Sequence, residues 1–265
     1  MSGRVWIVGA SSGIGEAMAL AYASRGASLV LSARRQERLA QVAAAARPRA
    51  GTDAAMHVVP LDVTAAAAIP EATARAWDAL GGLDTIVLCA GVSQRSLAHE
   101  TVLEVDRRLM EVNYFGPIAI VKALLPRLME RGGGQLIVLS SVAGRVGTPL
   151  RSAYAASKHA LHGFFDSLRA ELYAHGISVS IACPGYVSTS ITMSSLVGDG
   201  SAYGRIDDDV RDGMPVARCA ETILARAERG VEEFVVATGK ARLAIPVKRY
   251  APRLFSRLVR GHQIS

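Results

Sequence analysis

Seven short runs rich in Val, Ile and Leu recur along the chain, separated by longer stretches of helical composition. The runs are RVWIVGA, ASLVLSA, AMHVVPLDV, DTIVLCAG, GQLIVLSS, ISVSIACPG and EEFVVAT. Near-continuous apolar runs are typical of parallel strands buried on both faces, with the intervening helices as crossovers. The sequence therefore predicts an α/β fold in which a doubly wound, seven-stranded, mostly parallel sheet lies between helical layers. The predicted helices span residues 14–26, 35–47, 65–80, 101–131, 151–175 and 215–229.

No internal repeat or linker divides the chain, so we expect a single domain over residues 1–239. Two segments depart from the alternating pattern. Residues 186–213 are rich in Ser, Gly and Asp, and loops of that length in a compact domain often act as lids. Residues 240–265 form a basic extension after the last strand.

The net charge of +7 comes from this extension rather than from the body of the chain. Residues 240–265 contain seven Lys and Arg and no acid, which leaves 23 basic residues against 23 acidic ones elsewhere. This distribution argues against a nucleic-acid partner. The three cysteines lie far apart, and no signal peptide or membrane span is evident, so we expect a reducing, cytoplasmic location.

The first apolar run ends in GASSGIG, which places Gly9, Gly13 and Gly15 before a helical stretch. Glycines at this point allow a tight turn and a close approach to a pyrophosphate, whose charge the helix N-terminus attracts. A strand, a glycine turn and a helix in this order predict a dinucleotide site at the carboxyl edge of the sheet.

The end of the second apolar run carries cations instead of an acid. Ser32 and Ala33 stand where an acid would bind the ribose hydroxyls of NAD, and Arg34 and Arg35 follow at once. Guanidinium groups suit a 2′-phosphate, so the sequence favours NADP(H) over NAD(H). The alternative is that both arginines are solvated residues at the start of a helix.

Seven motifs then occur in the order known from one protein family. They are GASSGIG, LDV with Asp62, CAG at 89–91, VNYFG, SSVAG, YAASK and PGYVST. Residues 4–236 thereby resemble the short-chain dehydrogenase/reductase family, whose Rossmann fold agrees with the fold expected from periodicity. Val8 and Cys89 depart from the family pattern, which has Thr and Asn there; the second change is expected to affect local hydrogen bonding rather than the reaction.

The resemblance implies a carbonyl reductase or alcohol dehydrogenase. Its catalytic residues would be Asn113, Ser141, Tyr154 and Lys158. Tyr154 and Lys158 are four residues apart, so a helix places them on one face, where an ammonium would lower the phenol's pKa from about 10. Tyr154 would exchange a proton with the substrate oxygen, Ser141 would hold that oxygen, and Asn113 would hold a water that relays protons to Lys158. Strand alternation points Ser140 the other way.

The glycine turn and the resemblance together imply a set of cofactor contacts. These are Gly9, Ser11, Ser12, Gly13, Ile14, Gly15, Arg34, Arg35, Asp62, Val63, Ala90, Gly91, Tyr154, Lys158, Pro184, Gly185, Val187 and Thr189. The candidate substrate contacts are mostly apolar and include no cationic anchor, which favours a small lipophilic substrate. They are Val92, Val146, Leu150, Tyr186, Met193 and Leu196.

The histidines show no metal-ligand spacing, and we predict no metal. They are His57, His99, His159, His162, His175 and His262. His159 and His162 are three apart beside the catalytic pair, and we expect both on the helix surface.

The basic extension becomes amphipathic if residues 242–260 are helical. Leu243, Val247, Tyr250, Leu254 and Leu258 then form one stripe and five arginines another. We expect Pro246 to begin a helix and Pro252 to kink it or end its first part. Such a segment can bind an anionic membrane surface, or it can pack on protein.

Three functions compete at this point. The first is an NADP(H)-dependent oxidoreductase that interconverts a carbonyl with a primary or secondary alcohol. The second is a 3-oxoacyl-carrier protein reductase, and the third is a catalytically silent NADP(H)-binding regulatory protein. The resemblance further implies a homodimer or homotetramer.

Overall fold

Nine strands are present in residues 3–260, the part of the chain that the computed structural model describes. They are β1 Arg4–Val8, β2 Ser28–Ser32, β3 Met56–Val58, β4 Thr85–Leu88, β5 Gly134–Leu139, β6 Ile177–Pro184, β7 Val187–Ser188, β8 Met214–Pro215 and β9 Glu233–Val236. Seven of them form one parallel sheet in the order β3-β2-β1-β4-β5-β6-β9, while β7 and β8 pair separately. The predicted seven-stranded α/β sheet is confirmed, and in the described residues it is wholly parallel.

Ten α-helices accompany the strands in the same described range. They are α1 Gly13–Ala23, α2 Gln36–Ala50, α3 Ile69–Ala79, α4 Leu103–Met110, α5 Gly116–Arg131, α6 Ser152–Leu172, α7 Asp208–Arg211, α8 Val216–Glu228, α9 Gly239–Tyr250 and α10 Pro252–Arg260. Because all strands of the main sheet are parallel, their carboxyl ends lie at one edge, and the loops after β1 to β6 meet there.

Two hydrophobic clusters cover the two faces of the sheet, because successive strand residues point to opposite sides. Val5 and Ile7 of β1 pack with α1, α2 and α8, whereas Trp6 and Val8 pack with α3, α5 and α6. The result is the three-layer Rossmann arrangement expected from the apolar runs.

The helix predicted over residues 101–131 is not continuous. A π-helical turn, Glu111–Phe115, separates α4 from α5. Single π turns inside helices often accompany functional positions, since the local backbone departs from the i→i−4 pattern. Asn113 lies in this turn rather than in a regular α-helix.

The segment predicted as a lid, residues 186–213, is hydrogen-bonded to the loop after β4. The amide of Leu196 donates to Ser93 O at 2.9 Å, and the amide of Arg95 donates to Leu196 O at 2.8 Å. Asp207 also pairs with Arg95, at 2.7 Å between Oδ2 and Nε. The segment is thus held on this side of the sheet edge, and its role as a lid stays a prediction.

The basic extension is helical over the part that the structure describes. Pro246 lies inside α9 and does not begin a helix, contrary to prediction. α9 ends at Tyr250 and Pro252 begins α10, as expected for a residue that lacks an N–H and suits the first turn of a helix. Residues 261–265 of the predicted extension, His262 included, lie outside the described range. Within residues 3–260, no helix combines the length and apolarity that crossing a membrane requires.

Candidate active site

In the glycine turn after β1, neighbouring backbone atoms leave no room for a side chain at Gly9 or Gly15. A Cβ on Gly15 would lie 2.2 Å from Gly9 O, and a Cβ on Gly9 would lie 2.5 Å from Ala90 N. Gly9 has a φ of +96°, a region that favours glycine. The side chain of Ser12, at the N-cap of α1, makes no capping hydrogen bond. The turn therefore fits the pyrophosphate of a dinucleotide, which would accept hydrogen bonds from backbone amides at the start of α1.

The two arginines after β2 lie beside this turn. Arg35 Nη2 donates to Ser11 Oγ at 3.3 Å and to Ser12 Oγ at 3.5 Å. Arg34 lies near Asp62, which follows β3. Partial burial pushes the pKa of Asp62 up, but hydrogen bonds from Thr64 and the charges of Arg34 and Arg108 outweigh it and lower the pKa. Both predicted phosphate-binding arginines are thus at the cofactor edge.

The loop after β4 lies between the glycine turn and the catalytic helix. A Cβ on Gly91 would lie 3.3 Å from Asn113 Oδ1 and 3.6 Å from Lys158 Nζ. Cys89, where the family has Asn, is half-buried, and its amide donates to Val8 O at 2.8 Å, so this backbone link does not depend on an asparagine side chain. Burial raises the pKa of the Cys89 thiol to about 12.

Asn113 is buried and all its amide atoms are engaged. Its Oδ1 accepts from Val92 N, and its Nδ2 donates to Val92 O and to Ser157 Oγ, each at 2.9 Å. The side chain therefore joins the loop after β4 to α6, one residue before Lys158. A role in holding a water for Lys158 stays a prediction.

The two serines at the end of β5 have different partners. Ser141 Oγ accepts from Ala143 N at 3.1 Å and donates to Pro184 O at 3.4 Å. Ser141 also lies close enough to the phenol of Tyr154 to favour its ionised form. Ser140 Oγ instead contacts His162 Nε2 at 2.9 Å. Ser141 is thus the serine beside Tyr154, as strand alternation predicts.

Tyr154 and Lys158 share the face of α6 that packs on the sheet, and both are nearly buried. Lys158 Nζ donates to Leu139 O at 2.8 Å, and burial lowers the pKa of Lys158 to about 8. Burial raises the pKa of Tyr154 above 10, although Ser141, Arg151 and Arg95 oppose this rise. In the protein by itself, desolvation outweighs the neighbouring groups and disfavours the charged phenolate, and a lowering of the phenol's pKa by Lys158 stays a prediction.

The segment after β6 closes the site from the other side. A Cβ on Gly13 would lie 3.5 Å from Thr189 Cγ2, so Thr189 faces the glycine turn. A Cβ on Gly185 would lie 2.7 Å from Ala237 Cβ, which explains a glycine after Pro184. Val187 is buried between them.

These elements enclose a cavity of about 130 Å³. Its lining includes Ser141, Tyr154, Lys158, Ile14 and Gly91. Three of the predicted catalytic residues thus line one cavity together with part of the predicted cofactor set, and Asn113 lies directly behind them.

Most of the predicted substrate contacts do not line this cavity. Tyr186 lines the cavity, but Val92, Val146, Leu150, Met193 and Leu196 do not. Val146 and Leu196 are buried in the protein, Leu196 in a small cluster with Tyr154, while Met193 is 42% exposed.

The expectation of no cationic anchor is also wrong. Arg95 and Arg151 both line the cavity. Helical spacing could have pointed to Arg151, three residues before Tyr154, whereas Arg95 belongs to an irregular loop that carries no periodic signal.

Comparisons with known proteins agree with this geometry. Residues 4–198 match the family model described as short chain dehydrogenase. The chain belongs to the short-chain dehydrogenase/reductase family. A bovine (Bos taurus) relative, dehydrogenase/reductase SDR family member 7B, is 38% identical over 258 residues, which are 96% of this chain and 79% of the relative.

Two solved short-chain dehydrogenases extend the comparison. One from Burkholderia cenocepacia, solved with NADP, is 25% identical with a TM-score of 0.79, over 97% of this chain and 98% of the other. One from Burkholderia phymatum, solved with NAD, is 24% identical with a TM-score of 0.82, over 96% and 95%, which shows the shared fold. As a short-chain dehydrogenase/reductase, this chain is an oxidoreductase that uses a nicotinamide cofactor.

One cluster in this family member was not expected. His162 is only 5% exposed, so its predicted place on the helix surface is wrong, while His159 is exposed. The ligand atoms of His162, Cys183 and Glu233 all lie within 4.8 Å of one another. The Glu233 carboxylate is already paired with Arg145, at 2.8 Å between Oε1 and Nε. A cation beside the carboxylate disfavours a metal ion there, and the absence of a metal requirement stays a prediction.

Protonation of His162 is expected to make stability depend on pH. Burial, followed by the charge of Arg145, lowers the pKa of His162 from 6.5 to about 4. As the pH falls below 6.5 the unfolded chain binds this proton first, so the free energy of unfolding should fall between about pH 6.5 and 4, by up to about 1.4 kcal/mol per pH unit.

Urea unfolding at pH 7.5 and pH 5 measures this effect. His162→Gln should lose less stability than the wild type over that interval, and the exposed neighbour His159→Gln should behave like the wild type. An equal loss in wild type and His162→Gln would show that His162 does not remain neutral in the folded protein.

Proposed function

We propose that this chain is an NADP(H)-dependent oxidoreductase that interconverts a carbonyl and a primary or secondary alcohol, with Tyr154 as the acid and base. The observation that carries the proposal is the cavity shared by Ser141, Tyr154 and Lys158 beside the glycine turn. A protein that only bound the cofactor would need the turn but not this constellation. The geometry therefore favours an enzyme over a silent regulatory protein.

The protein's part in the reaction is to hold the substrate oxygen and move one proton. The nicotinamide supplies or accepts the hydride when it is bound. Ser141 Oγ is placed to donate to the substrate oxygen while negative charge develops on it. Tyr154 Oη then gives its proton to that oxygen in reduction, or takes one from the alcohol in oxidation.

In the reductive direction Tyr154 acts as the proton donor. Burial raises the pKa of the phenol above its ordinary value, so the phenol carries its proton at neutral pH. A carbonyl that is being reduced needs a proton donor at this position, and Tyr154 is ready to act as one. Lys158, held by Leu139 O, supplies the charge and the link through which the proton is replaced.

The positions of Arg34 and Arg35 favour NADP(H) over NAD(H). Arg35 lies against Ser11 and Ser12 of the turn, and Arg34 lies beside Asp62. No acid follows β2 to bind the two ribose hydroxyls. A guanidinium can make charge-assisted hydrogen bonds to a 2′-phosphate instead.

NADPH oxidation across ketones, aldehydes and 3-oxoacyl thioesters tests the proposed function. Reduction of free ketones or aldehydes supports it. Turnover restricted to 3-oxoacyl thioesters would establish the acyl-carrier reductase, and binding of NADPH without turnover of any class would support the regulatory protein.

We also propose that the C-terminal helices contact an anionic membrane surface. Leu254 and Leu258 of α10 are 50% and 58% exposed, and Phe255 and Val259 extend the same apolar side. The opposite side carries Arg253, Arg257 and Arg260, and residues 240–260 contain no acid. An exposed apolar stripe flanked by arginines complements acyl chains beneath anionic headgroups.

Vesicle sedimentation tests the membrane contact. The full chain should pellet with phosphatidylserine-rich vesicles at low salt, remain in solution with phosphatidylcholine vesicles, and lose binding in Leu254→Glu/Leu258→Glu. Ile206→Glu, which changes an apolar residue of similar exposure in the 186–213 segment, is the control and should still bind. If the wild type does not pellet with these vesicles, the proposed membrane contact is wrong. It is also wrong if the wild type is a dimer that the α10 substitutions dissociate.

The family expectation of a homodimer or homotetramer is retained as a proposal, together with a cytoplasmic location. Exposed apolar side chains on α4 and in the π turn support association through this side. Leu103 is 56% exposed and Phe115 is 45% exposed. A second copy of the chain would remove both from water.

A further inference from the structure

The charged side chains that line the active-site cavity are all cationic. They are Arg95, Arg151 and Lys158, and no Asp or Glu joins them. Lys158 donates to Leu139 O within the protein and belongs to the proton-transfer machinery described above. The two arginines have no part in that machinery, so their presence around the substrate oxygen needs another explanation.

Arg151 and Lys158 lie on opposite sides of Tyr154 along the chain. Arg151 immediately precedes α6, three residues before Tyr154, whereas Lys158 is one turn after it. Lys158 Nζ approaches Gly91, next to the glycine turn. The two cationic groups therefore flank Tyr154 along the helix, one toward the cofactor side and one away from it.

Arg95 is a rigid, nearly buried donor. It is 8% exposed, and its Nε donates to Asp207 Oδ2 at 2.7 Å. Its Nη1 donates to Ser93 Oγ at 3.1 Å and to Gln94 O at 2.7 Å. Its Nη2 has no hydrogen-bond partner within residues 3–260. A guanidinium that is fixed at one edge and belongs to the cavity lining is organised to receive an acceptor.

Arg151 has no carboxylate partner among the described residues. Its guanidinium lies over the ring of Tyr186, 5.5 Å from the centroid, and its charge acts on Arg95, on Tyr154 and, more weakly than that of Arg95, on Asp207. Leu150, directly before it, has a φ of +65°, the left-handed region that a leucine rarely adopts. A strained backbone thus precedes an unpaired arginine that faces a like charge.

Asp207, which lies behind the lining, offsets one of the two positive charges of Arg95 and Arg151, so a net positive charge remains at the cavity that an anion would neutralise. We propose that Arg95 and Arg151 form an anion-binding subsite, so that the carbonyl substrate carries a carboxylate or a phosphate ester near the reacting carbon. This inference rests on the proposed carbonyl reduction and assigns its substrate class. The apolar side chains of Ile191 and Val210 in the same lining leave room for a hydrocarbon part.

Matched ketone pairs test the subsite. One pair is a 3-oxo carboxylate and its methyl ester, and the other is the phosphate monoester of a hydroxyketone and the free hydroxyketone. We expect kcat/KM at least tenfold higher for the anionic member of one pair, and the pair that shows it distinguishes carboxylate from phosphate.

Arg151→Gln should remove this preference through KM. The variant should lose at least tenfold more kcat/KM on the anionic ketone than on the neutral one, whatever its effect on the neutral ketone through the charge near Tyr154. Arg205→Gln, an exposed arginine over Tyr203 in the 186–213 segment, is the control and should retain the preference. Equal turnover of both members of each pair by the wild type, or equal losses on both in Arg151→Gln, would overturn the subsite.

Calorimetric titration separates the subsite from the reaction. The anionic alcohol products should bind the wild-type protein with NADP+ and bind Arg151→Gln at least tenfold more weakly, whether or not any ketone is reduced. If no ketone is reduced but the anionic alcohols still bind in this way, the proposed function is refuted and the subsite is retained. Binding of anionic and neutral products with equal affinity would refute the subsite alone.

Discussion

Tyr154→Phe is expected to lower kcat for carbonyl reduction by about 10²- to 10⁴-fold, the usual contribution of a positioned general acid. Phenylalanine fills the same space in the cluster of Tyr154 with Val105, Leu109 and Leu196, so the fold should be kept. Only the phenolic proton donor is removed. Steady-state rates with saturating NADPH and ketone measure the effect.

Two measurements show that such a loss is chemical. NADPH binding, followed by the fluorescence of the reduced nicotinamide, should persist in Tyr154→Phe, and its thermal unfolding should match that of the wild type. Tyr203→Phe, a tyrosine of the 186–213 segment that does not line the cavity, is the control and should keep the wild-type rate. Full activity in Tyr154→Phe would show that another group supplies the proton.

Arg35→Ala is expected to weaken the binding of NADPH by about 10- to 100-fold relative to the binding of NADH. A hydrogen bond to a charged group contributes about 1.5–3 kcal/mol, and the 2′-phosphate that Arg35 would hold is absent from NADH. The change should therefore appear in the NADPH dissociation constant and in kcat/KM for NADPH. The values for NADH should change little.

Arg38→Ala provides the matched control, because Arg38 is a half-buried arginine three residues further along, in α2, and pairs with Glu16. It should leave the ratio of the two cofactors unchanged. If Arg35→Ala weakened both cofactors equally, Arg35 would act by shaping the turn through Ser11 and Ser12. If neither cofactor were affected, Arg35 would be the solvated residue considered as the alternative.

The sheet could be predicted because each of its strands is buried on both faces. Continuous apolar runs such as TIVL and QLIVL have few other uses in a chain of this composition. The catalytic residues could be placed for a related reason. Parallel strands bring their carboxyl ends to one edge, and helical spacing brings Tyr154 and Lys158 to one face.

The π-helical turn at Asn113 could not be read from periodicity, because one extra residue in a helix leaves the apolar pattern on either side intact. His162 is a different case. It follows Lys158 by four residues, so the spacing that joined Tyr154 to Lys158 also places His162 on the buried face. Its polar character alone suggested exposure.

The cationic side of the cavity depends on tertiary structure. Arg95 acquires its position from Asp207, 112 residues away, and from the hydrogen bond that its amide donates to Leu196 O. No local pattern signals such a contact. The raised pKa of Tyr154 also depends on tertiary structure, because burial is the largest contribution to it.

Transfer of deuterium from NADPH that carries deuterium at both hydrogens of the nicotinamide C4 tests the central claim most directly. With the best ketone of the panel, the alcohol product should carry one deuterium on its carbinol carbon, and Tyr154→Phe should form that product at least 100-fold more slowly. An unlabelled alcohol, or oxidation of NADPH without alcohol formation, would contradict hydride transfer to a carbonyl at this site.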